Sequence, residues 1–507
     1  MLGLRTKTLM AVAASALTLA ACGSAEVASP GEGDFGNGGN NGGGNNPNPL
    51  PPGTPAADCP TGFANVGVVA NGTLRACQLP QQIVGNLTVP LRAGTIYSIS
   101  GRTEVGTDRG ADPNAPIAGS QQGILTVEAG VKLFASGGSD YLLVNRGSQI
   151  FAEGTATNPI IFTSRQNVEG TTTANSQGQW GGIVLAGRAP GAVCPVGVTA
   201  PNAACVGQVE GTSANYGGNS PDDNSGRLRY VQINYSGFEI SPNNELQALT
   251  LAGVGRATTV EYIQSYNSSD DGIEIFGGTV NLRYIVINGA DDDGLDTDTG
   301  WKGGAQFGII TQRPTAVTNG SRGFEWSAAP SGTAFYAEPK VSNWTVVGRN
   351  AAVAADAIIT LNSGTKPTII NSVFINPTTS AAACLDIDDA QTVANNPVFR
   401  SVFFSCSRPY ENDSNINAAA TEAVFLSATN TNNTAAGTST LTAPAGATMQ
   451  NTLLTFINGA NETAVTPTNA PAIYSYFQAV TYIGAVRNAA DTWYLGWTCG
   501  LQAGSNC

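Results

Sequence analysis

A pattern that recurs about every 22 residues constrains the fold of this chain more than any other feature. The segments 228–233, 260–264 and 282–287 each begin with an apolar residue, a charged residue and a tyrosine, and Tyr262 and Tyr284 are 22 residues apart. Each segment alternates in the way that β-strands do. Because one such coil cannot bury its inner face alone, the repeat predicts an all-β solenoid in which parallel strands stack along one axis.

A second motif, glycine–apolar–acid–apolar, follows the first in register. If its apolar residues point into the solenoid, the acid between them points outward. Stacked coils would then place these acids in a column on one face, with neighbouring strands about 4.8 Å apart. The motif occurs at 237–240, 272–275, 294–297 and 323–326 and, with cysteine in place of glycine, at 384–387. The acids predicted to form the column are Glu239, Glu274, Asp296 and Asp386.

The composition excludes several classes of function. The chain has no histidine, so no site that needs an imidazole ligand, base or proton shuttle can form. Its net charge of −13 argues against nucleic acid as a partner. Hydrophobic residues make up 41% of the chain and charged residues 12%, which is enough apolar side chain for a large core.

The first residues are typical of an export signal. Residues 1–21 combine two basic residues with an apolar stretch too short to span a bilayer. The run Leu19-Ala20-Ala21-Cys22 resembles the bacterial lipobox, which implies a lipidated Cys22 and, with Gly23 after it, an outer-membrane protein held by acyl chains. The alternative is an ordinary signal peptide with a chance cysteine. Residues 22–57 are rich in Gly, Asn and Pro and predict a disordered tether.

The remaining eight cysteines fall into four couples that are close in sequence. We expect nearest neighbours to form disulfide bonds, since the export signal indicates an oxidising compartment. The 22-residue separation of Cys384 and Cys406 would place them at equivalent positions on adjacent coils. Zinc binding is the alternative, but the sequence contains no C-x-x-C spacing. The predicted bonds are Cys59–Cys77, Cys194–Cys205, Cys384–Cys406 and Cys499–Cys507.

The folded part divides into three segments. Residues 58–85 are expected to form an N-terminal cap that hides the first β edge, and residues 86–415 the parallel β-helix. Residues 416–507 are richer in Ala, Thr and Asn and have weaker strand patterns, which predicts further coils and a C-terminal cap.

Several of these segments resemble a known group of proteins. Residues 180–190, 222–255 and 270–296 are similar to bacterial secreted and outer-membrane lipoproteins with a pectin-lyase-like right-handed parallel β-helix, among them a leptospiral surface-lipoprotein family. Residues 482–500 are similar to the C-termini of these proteins. The resemblance implies a right-handed parallel β-helix on the cell surface, and it carries no catalytic residues.

The acidic face allows three interpretations. It could be a solvated ladder of side chains that is partly neutralised by Arg283, Lys302 and Arg322. It could bind calcium, which prefers clustered carboxylate oxygens, although the spacing fits neither an EF-hand nor the calcium nonapeptide. Glu274 and Asp296 could also act as a catalytic carboxylate pair, with Lys302 as the base in a lyase. The calcium candidates are Asp270, Asp271, Asp291, Asp292, Asp293, Asp296 and Asp298.

These features favour a lipid-anchored surface protein whose β-helix is a non-enzymatic binding or adhesion scaffold. It would need no cofactor, apart from the calcium discussed above, and its ligand would be a polysaccharide or another surface ligand. One alternative is a polysaccharide lyase or glycoside hydrolase. Another is an accessory lipoprotein of an outer-membrane uptake receptor.

Overall fold

The computed structural model describes residues 53–242, 244–313, 321–328, 334–349, 357–377, 380–447, 454–502, 505 and 507. The predicted signal peptide, Cys22 and the tether as far as residue 52 lie outside the described residues. Among the helices of the described residues, none is long and apolar enough to cross a membrane.

The chain is built from short strands. The strands up to the middle of the chain are β1 (Ala64–Val69), β2 (Leu74–Gln78), β3 (Gln82–Ile83), β4 (Gly85–Val89), β5 (Thr95–Ile99), β6 (Arg102–Val105), β7 (Gly123–Val127), β8 (Lys132–Ala135), β9 (Tyr141–Val144), β10 (Gln149–Glu153), β11 (Ile160–Ser164), β12 (Gly182–Ala186), β13 (Gly207–Gln208), β14 (Asn215–Tyr216), β15 (Gly226–Asn234), β16 (Glu239–Ser241) and β17 (Asn244–Glu245). The later strands are β18 (Leu249–Ala252), β19 (Thr259–Tyr266), β20 (Ile273–Phe276), β21 (Asn281–Asn288), β22 (Leu295–Asp298), β23 (Gly304–Thr311), β24 (Phe324–Trp326), β25 (Lys340–Val347), β26 (Ala357–Leu361), β27 (Thr368–Ile370), β28 (Val373–Ile375), β29 (Ala383–Ile387), β30 (Val398–Arg400), β31 (Phe403–Ser405) and β32 (Arg408–Tyr410). The helices are α1 (Arg165–Val168), α2 (Ala390–Ala394), α3 (Ala418–Phe425), α4 (Ala460–Thr463) and α5 (Ala470–Ile473).

Most strands belong to two long sheets of parallel strands, which confirms the predicted right-handed parallel β-helix. In the described part of the chain, sheet A has 17 strands and sheet B has 11. The hairpin of β1 and β2 is the antiparallel part of sheet A, and β2 then pairs with β5 in parallel. Sheet A contains β1, β2, β4, β5, β7, β8, β10, β11, β15, β19, β21, β23, β25, β27, β28, β30 and β31. Sheet B contains β3, β6, β9, β12, β18, β20, β22, β24, β26, β29 and β32.

The core is a stack of side chains that repeat from coil to coil. In sheet B, Ile273 pairs with Leu295, Leu295 with Phe324, and Phe324 with Ile359. All four side chains are fully buried. Each coil therefore buries its inner face against the next, as expected for a solenoid whose single coils are too small to form a core.

The strands of sheet A bend at an aromatic residue that repeats with the coils. Tyr230, Tyr262, Tyr284 and Phe307 have φ values of 52°, 57°, 60° and 63°, in the left-handed region that residues other than glycine rarely adopt. Their rings stack, with centroid separations of 4.2, 4.4 and 5.0 Å. Ring stacking offsets part of the cost of this backbone conformation.

The C-terminal strap, defined as residues 454–502, lies along the outer face of sheet A. Side-chain amides of the sheet hold its backbone in the way that a neighbouring strand would. Gln264 donates to the carbonyl of Cys499 at 2.7 Å and accepts from its N–H at 2.8 Å. Gln306 makes the same pair of bonds with Gln478, at 2.9 and 2.6 Å. The predicted C-terminal segment thus places a long stretch beside the helix, while Phe425 of α3 stacks on Phe404 near the end of the coils.

The four predicted disulfide bonds are present: Cys59–Cys77, Cys194–Cys205, Cys384–Cys406 and Cys499–Cys507. The register argument for the third bond is wrong, however. Ala383 of β29 pairs with Arg408 of β32, so this coil is 25 residues long and the position equivalent to Cys384 is Pro409. Cys406 lies three residues earlier, in the segment that leads into β32, and from there it reaches Cys384 with a Cα–Cα distance of 5.7 Å.

Candidate functional site

A column of outward-facing residues runs along sheet B, as the second motif predicted. Glu274 of β20 pairs with Asp296 of β22, which pairs with Glu325 of β24. The column continues through Thr360 to Asp386 of β29. Their apolar neighbours point into the core, so the alternation of the motif places three consecutive carboxyl groups on one face of adjacent strands.

Glu239 does not belong to this column, which corrects the prediction. It lies in β16, which pairs with β17 as a small antiparallel hairpin outside sheet B, and it is exposed. The column position of this coil is taken by Thr250 of β18, which pairs with Glu274. The motif at 237–240 therefore lies in an insertion, and the true strand carries threonine in place of an acid.

Loops that precede β20 and β22 add further carboxylates. Asp270, Asp271 and Asp292 have carboxylate oxygens within 4.8 Å of one another. Asp271, Glu274 and Asp296 form a second trio with the same spacing. Since both trios contain Asp271, the five residues form one group, which we call the acidic cluster.

Some hydrogen bonds within and around the acidic cluster hold its loops in place. Asp271 accepts from the backbone N–H of Asp293 at 2.9 Å, and Asp293 accepts in turn from the N–H of Arg322. Gln247 donates to Asp270 at 3.2 Å. These bonds tie successive coils together, and they leave other carboxylate oxygens free to act as ligands.

Two of those oxygens are buried without a protein partner. Among the described residues, neither Oε2 of Glu274 nor Oδ1 of Asp296 has a hydrogen-bond donor. Glu274 is only 4% exposed. A buried carboxylate oxygen without a donor is costly, so these two atoms need a proton or a bound cation.

Burial and mutual repulsion also raise the proton affinity of the cluster. Burial raises the pKa of Glu274 and of Asp296 well above the usual range, and neighbouring carboxylates add to the rise. Asp270 and Asp271 have pKa values raised for the same reasons. Burial raises the pKa of Asp292 to about 6. The nearby Arg322 is engaged by Glu325 and donates to Thr360 at 2.7 Å.

The other predicted candidates have different partners. Asp291 is buried beside Arg313 and accepts from Gln177 at 3.1 Å. Asp298 accepts from Ser327 at 2.8 Å.

The predicted base, Lys302, is also engaged. It binds Glu338 at 2.8 Å, and its ammonium lies 4.5 Å from the centre of the Phe335 ring. Arg283 donates to the carbonyl of Tyr476 on the sheet A side. Neither cation is positioned as a base for the pair of Glu274 and Asp296.

A second carboxylate trio lies further along the column and was not predicted. Asp386, Asp388 and Asp413 have oxygens within 4.8 Å of one another. Burial, then repulsion from Asp413 and Asp388, raises the pKa of Asp386 to about 7. Asp413 comes from a loop after β32, so no repeat in the sequence could have associated it with the column.

The geometry of the acidic cluster suits two kinds of chemistry. Clustered carboxylate oxygens are the ligands that Ca²⁺ prefers, and an ion bound there would compensate the buried charge. The neighbouring carboxyls of Glu274 and Asp296 also approach the separation of about 5 Å that retaining glycosidases use.

Comparison with known proteins gives one match. A family model described as a pectate-lyase-like β-helix domain matches residues 113–498. No curated protein and no solved structure matches the chain. The matched range contains the acidic cluster and most of both sheets.

Proposed function

The chain belongs to the pectate-lyase-like β-helix domain family, and we propose that it is a surface scaffold that binds carbohydrate through a calcium ion held by the acidic cluster. The observation that carries this proposal is the buried Oε2 of Glu274, which has no hydrogen-bond donor in the described structure and lies among four aspartates. In this proposal the scaffold binds its ligand and does not cleave it.

The donor set supports calcium as the ion. Asp270, Asp271, Glu274, Asp292 and Asp296 offer only carboxylate oxygens, the hard ligands that Ca²⁺ takes in sets of six to eight, some of them bidentate. A calcium ion at the surface of such a cluster keeps positions that water or sugar hydroxyls can fill. Bound calcium would thereby link the cluster to a polysaccharide.

A glycoside hydrolase is the second candidate, because Glu274 and Asp296 approach the spacing of a retaining pair. Their environments differ, since Glu274 is buried and Asp296 is partly exposed. A lyase is less well supported, because Lys302 is held by Glu338.

A panel of acidic and neutral polysaccharides separates the scaffold from the enzyme. We expect one or more of them to bind in 1 mM calcium, with binding lost in excess EGTA and restored by added calcium. Reducing ends and unsaturated products should stay at the level of the protein-free control. Calcium-independent binding would contradict the proposed role of the ion, and product release that Glu274→Gln abolishes would establish the enzyme instead.

We also propose that Cys22 anchors the protein in the bacterial outer membrane with the β-helix on the cell surface. The support is the lipobox-like run Leu19-Ala20-Ala21-Cys22 and the resemblance of residues 180–190, 222–255 and 270–296 to outer-membrane lipoproteins of the leptospiral surface type. Such an anchor also suits an accessory lipoprotein of an uptake receptor. Several acyl chains are needed because a single chain binds membranes only marginally.

Replacing the anchor residue should release the protein. In Cys22→Ser, we expect the mass increment of the acyl chains to vanish and the protein to move from the outer-membrane fraction to the soluble fraction. Ser24→Ala, which keeps the cysteine, serves as the control and should remain in the membrane. Membrane retention of Cys22→Ser at an unchanged mass would refute lipidation at this residue.

A further inference from the structure

A cleft of about 580 Å³ lies beyond the carboxyl ends of β9 and β12, on coils nearer the N-terminus than the acidic cluster. The turn after β9, the segment after β12 and residues 220–224 form its walls. Its volume falls in the range of about 300–1,000 Å³ that is typical of small-molecule sites. Polar groups with different roles line it, including Arg109, Arg188, Gln122, Gln149 and Ser220.

Arg188 is built into the wall of this cleft. Its side chain is only 6% exposed, and its Nε donates to the carbonyl of Gly110 at 2.8 Å. A Cβ atom on Gly147 would lie 2.3 Å from Nη2 of Arg188, so glycine is required there to admit the guanidinium. The fold thus places a rigid cation at the cleft, where its orientation is fixed before any ligand arrives.

Arg109 is the second cation of the cleft, and its charge is not balanced. Among the described residues, its Nε is buried without a hydrogen-bond partner, and the described ion pairs do not include it. The neighbouring Arg146 is different, because it donates from Nε and Nη2 to both carboxylate oxygens of Asp108, at 2.7 and 2.5 Å. A buried, unpaired guanidinium nitrogen indicates a missing acceptor.

The acids of the cleft are already engaged. Asp222 binds Arg256 at 2.8 Å. Asp223 accepts from the backbone N–H of Arg188 at 2.9 Å and lies 3.8 Å from Nη1 of the same residue, which is beyond a hydrogen bond. Guanidinium donors of both arginines are therefore left for a ligand.

We propose that this cleft binds the oxyanion of a small polar ligand, a carboxylate or a phosphate, between Arg109 and Arg188. The planar guanidinium matches either group with two parallel hydrogen bonds. Gln122, Gln149 and Ser220 supply amide and hydroxyl groups for the polar remainder of the ligand. The site is independent of the acidic cluster, whose carboxylates select cations, and it gives this acidic chain a local preference for anions.

Calorimetric titration of the intact, disulfide-bonded protein with inorganic phosphate and, separately, with glucuronate tests this site. We expect at least one probe to bind saturably and more weakly in 0.5 M NaCl, since salt screens the contact. Saturable binding of phosphate assigns a phosphate ligand, and saturable binding of glucuronate assigns a carboxylate ligand.

Variants locate the binding in the cleft. Arg109→Gln should weaken the bound probe by about tenfold or more, because hydrogen bonds between charged groups contribute roughly this factor. Arg109→Lys should fall between that variant and the wild type. Lys132→Gln removes one exposed positive charge elsewhere and should bind as the wild type does. The proposal is overturned if neither probe binds, or if Arg109→Gln, with an unchanged melting temperature, binds as tightly as the wild type.

Discussion

Millimolar calcium is expected to raise the melting temperature of this protein by a few degrees. An ion that binds only the folded state stabilises it by mass action, and a free concentration of 100 times Kd adds about 2.7 kcal/mol. The acidic cluster supplies the differential affinity, because its carboxylates come together only in the fold. Differential scanning calorimetry in calcium and in EGTA measures the shift, and magnesium, which demands a stricter geometry, should give less.

Two isosteric substitutions separate this effect from general electrostatics. Glu274→Gln combined with Asp296→Asn removes both unpartnered oxygens' charges, so the calcium increment should disappear. The same variant should melt higher than the wild type in EGTA, because two repelling buried carboxylates have been neutralised. Asp112→Asn combined with Glu169→Gln removes the same charge outside the cluster and should keep the full calcium increment.

The opposite result would identify the cluster as a plain solvated ladder. In that case calcium leaves the melting curve unchanged in every variant. The paired variant also melts no higher than the wild type in EGTA, because the carboxylates then repel one another only weakly through water.

The part of the site that the sequence predicted is the part where the coils are shortest. Val260 pairs with Leu282 and Glu274 with Asp296, each at a separation of 22 residues. With no insertion between the strands, the period of the sequence equals the length of the coil, and register follows directly. The prediction of Glu274 and Asp296 as neighbours depended only on this equality.

Prediction failed where a coil carries an insertion. Leu228 pairs with Val260, so this coil is 32 residues long, and the extra residues hold the hairpin of β16 and β17. The hairpin imitates the acidic motif through Glu239, while the true strand, β18, carries Thr250 at the column position. Local sequence cannot distinguish the two, because the choice depends on which segment returns to the sheet.

The C-terminal strap was beyond sequence reasoning for a different reason. Its backbone is held by side-chain amides such as Gln264, which is 235 residues from its partner Cys499. Isolated glutamines on a strand are common, and nothing in their spacing indicates a backbone partner. The weak strand patterns after residue 415 reflect this arrangement, since the strap pairs with amides rather than with a neighbouring strand.

Trp497→Ala should be the most destabilising single substitution in the strap. Trp497 is fully buried, and its ring meets the edges of the Tyr230 and Tyr262 rings at 6.0 and 5.8 Å. Its indole N–H donates to the carbonyl of Trp493 at 2.8 Å. Removing a large buried aromatic side chain costs about 3–5 kcal/mol. Because the stacked tyrosines also lose their cover, the strap should detach before the β-helix unfolds.

Limited proteolysis and calorimetry together measure this order of events. In Trp497→Ala we expect cleavage within 454–502 at protease concentrations that leave the wild type intact, while the β-sheet signal in circular dichroism persists. Trp497→Phe keeps an aromatic ring at the site and should recover part of the loss, whereas Leu426→Ala, at a side chain that is 50% exposed, should change little. The amide bonds from Gln264 and Gln306 remain in every variant. If Trp497→Ala resists protease as the wild type does, those amide bonds alone hold the strap, and the aromatic stack contributes little to its docking.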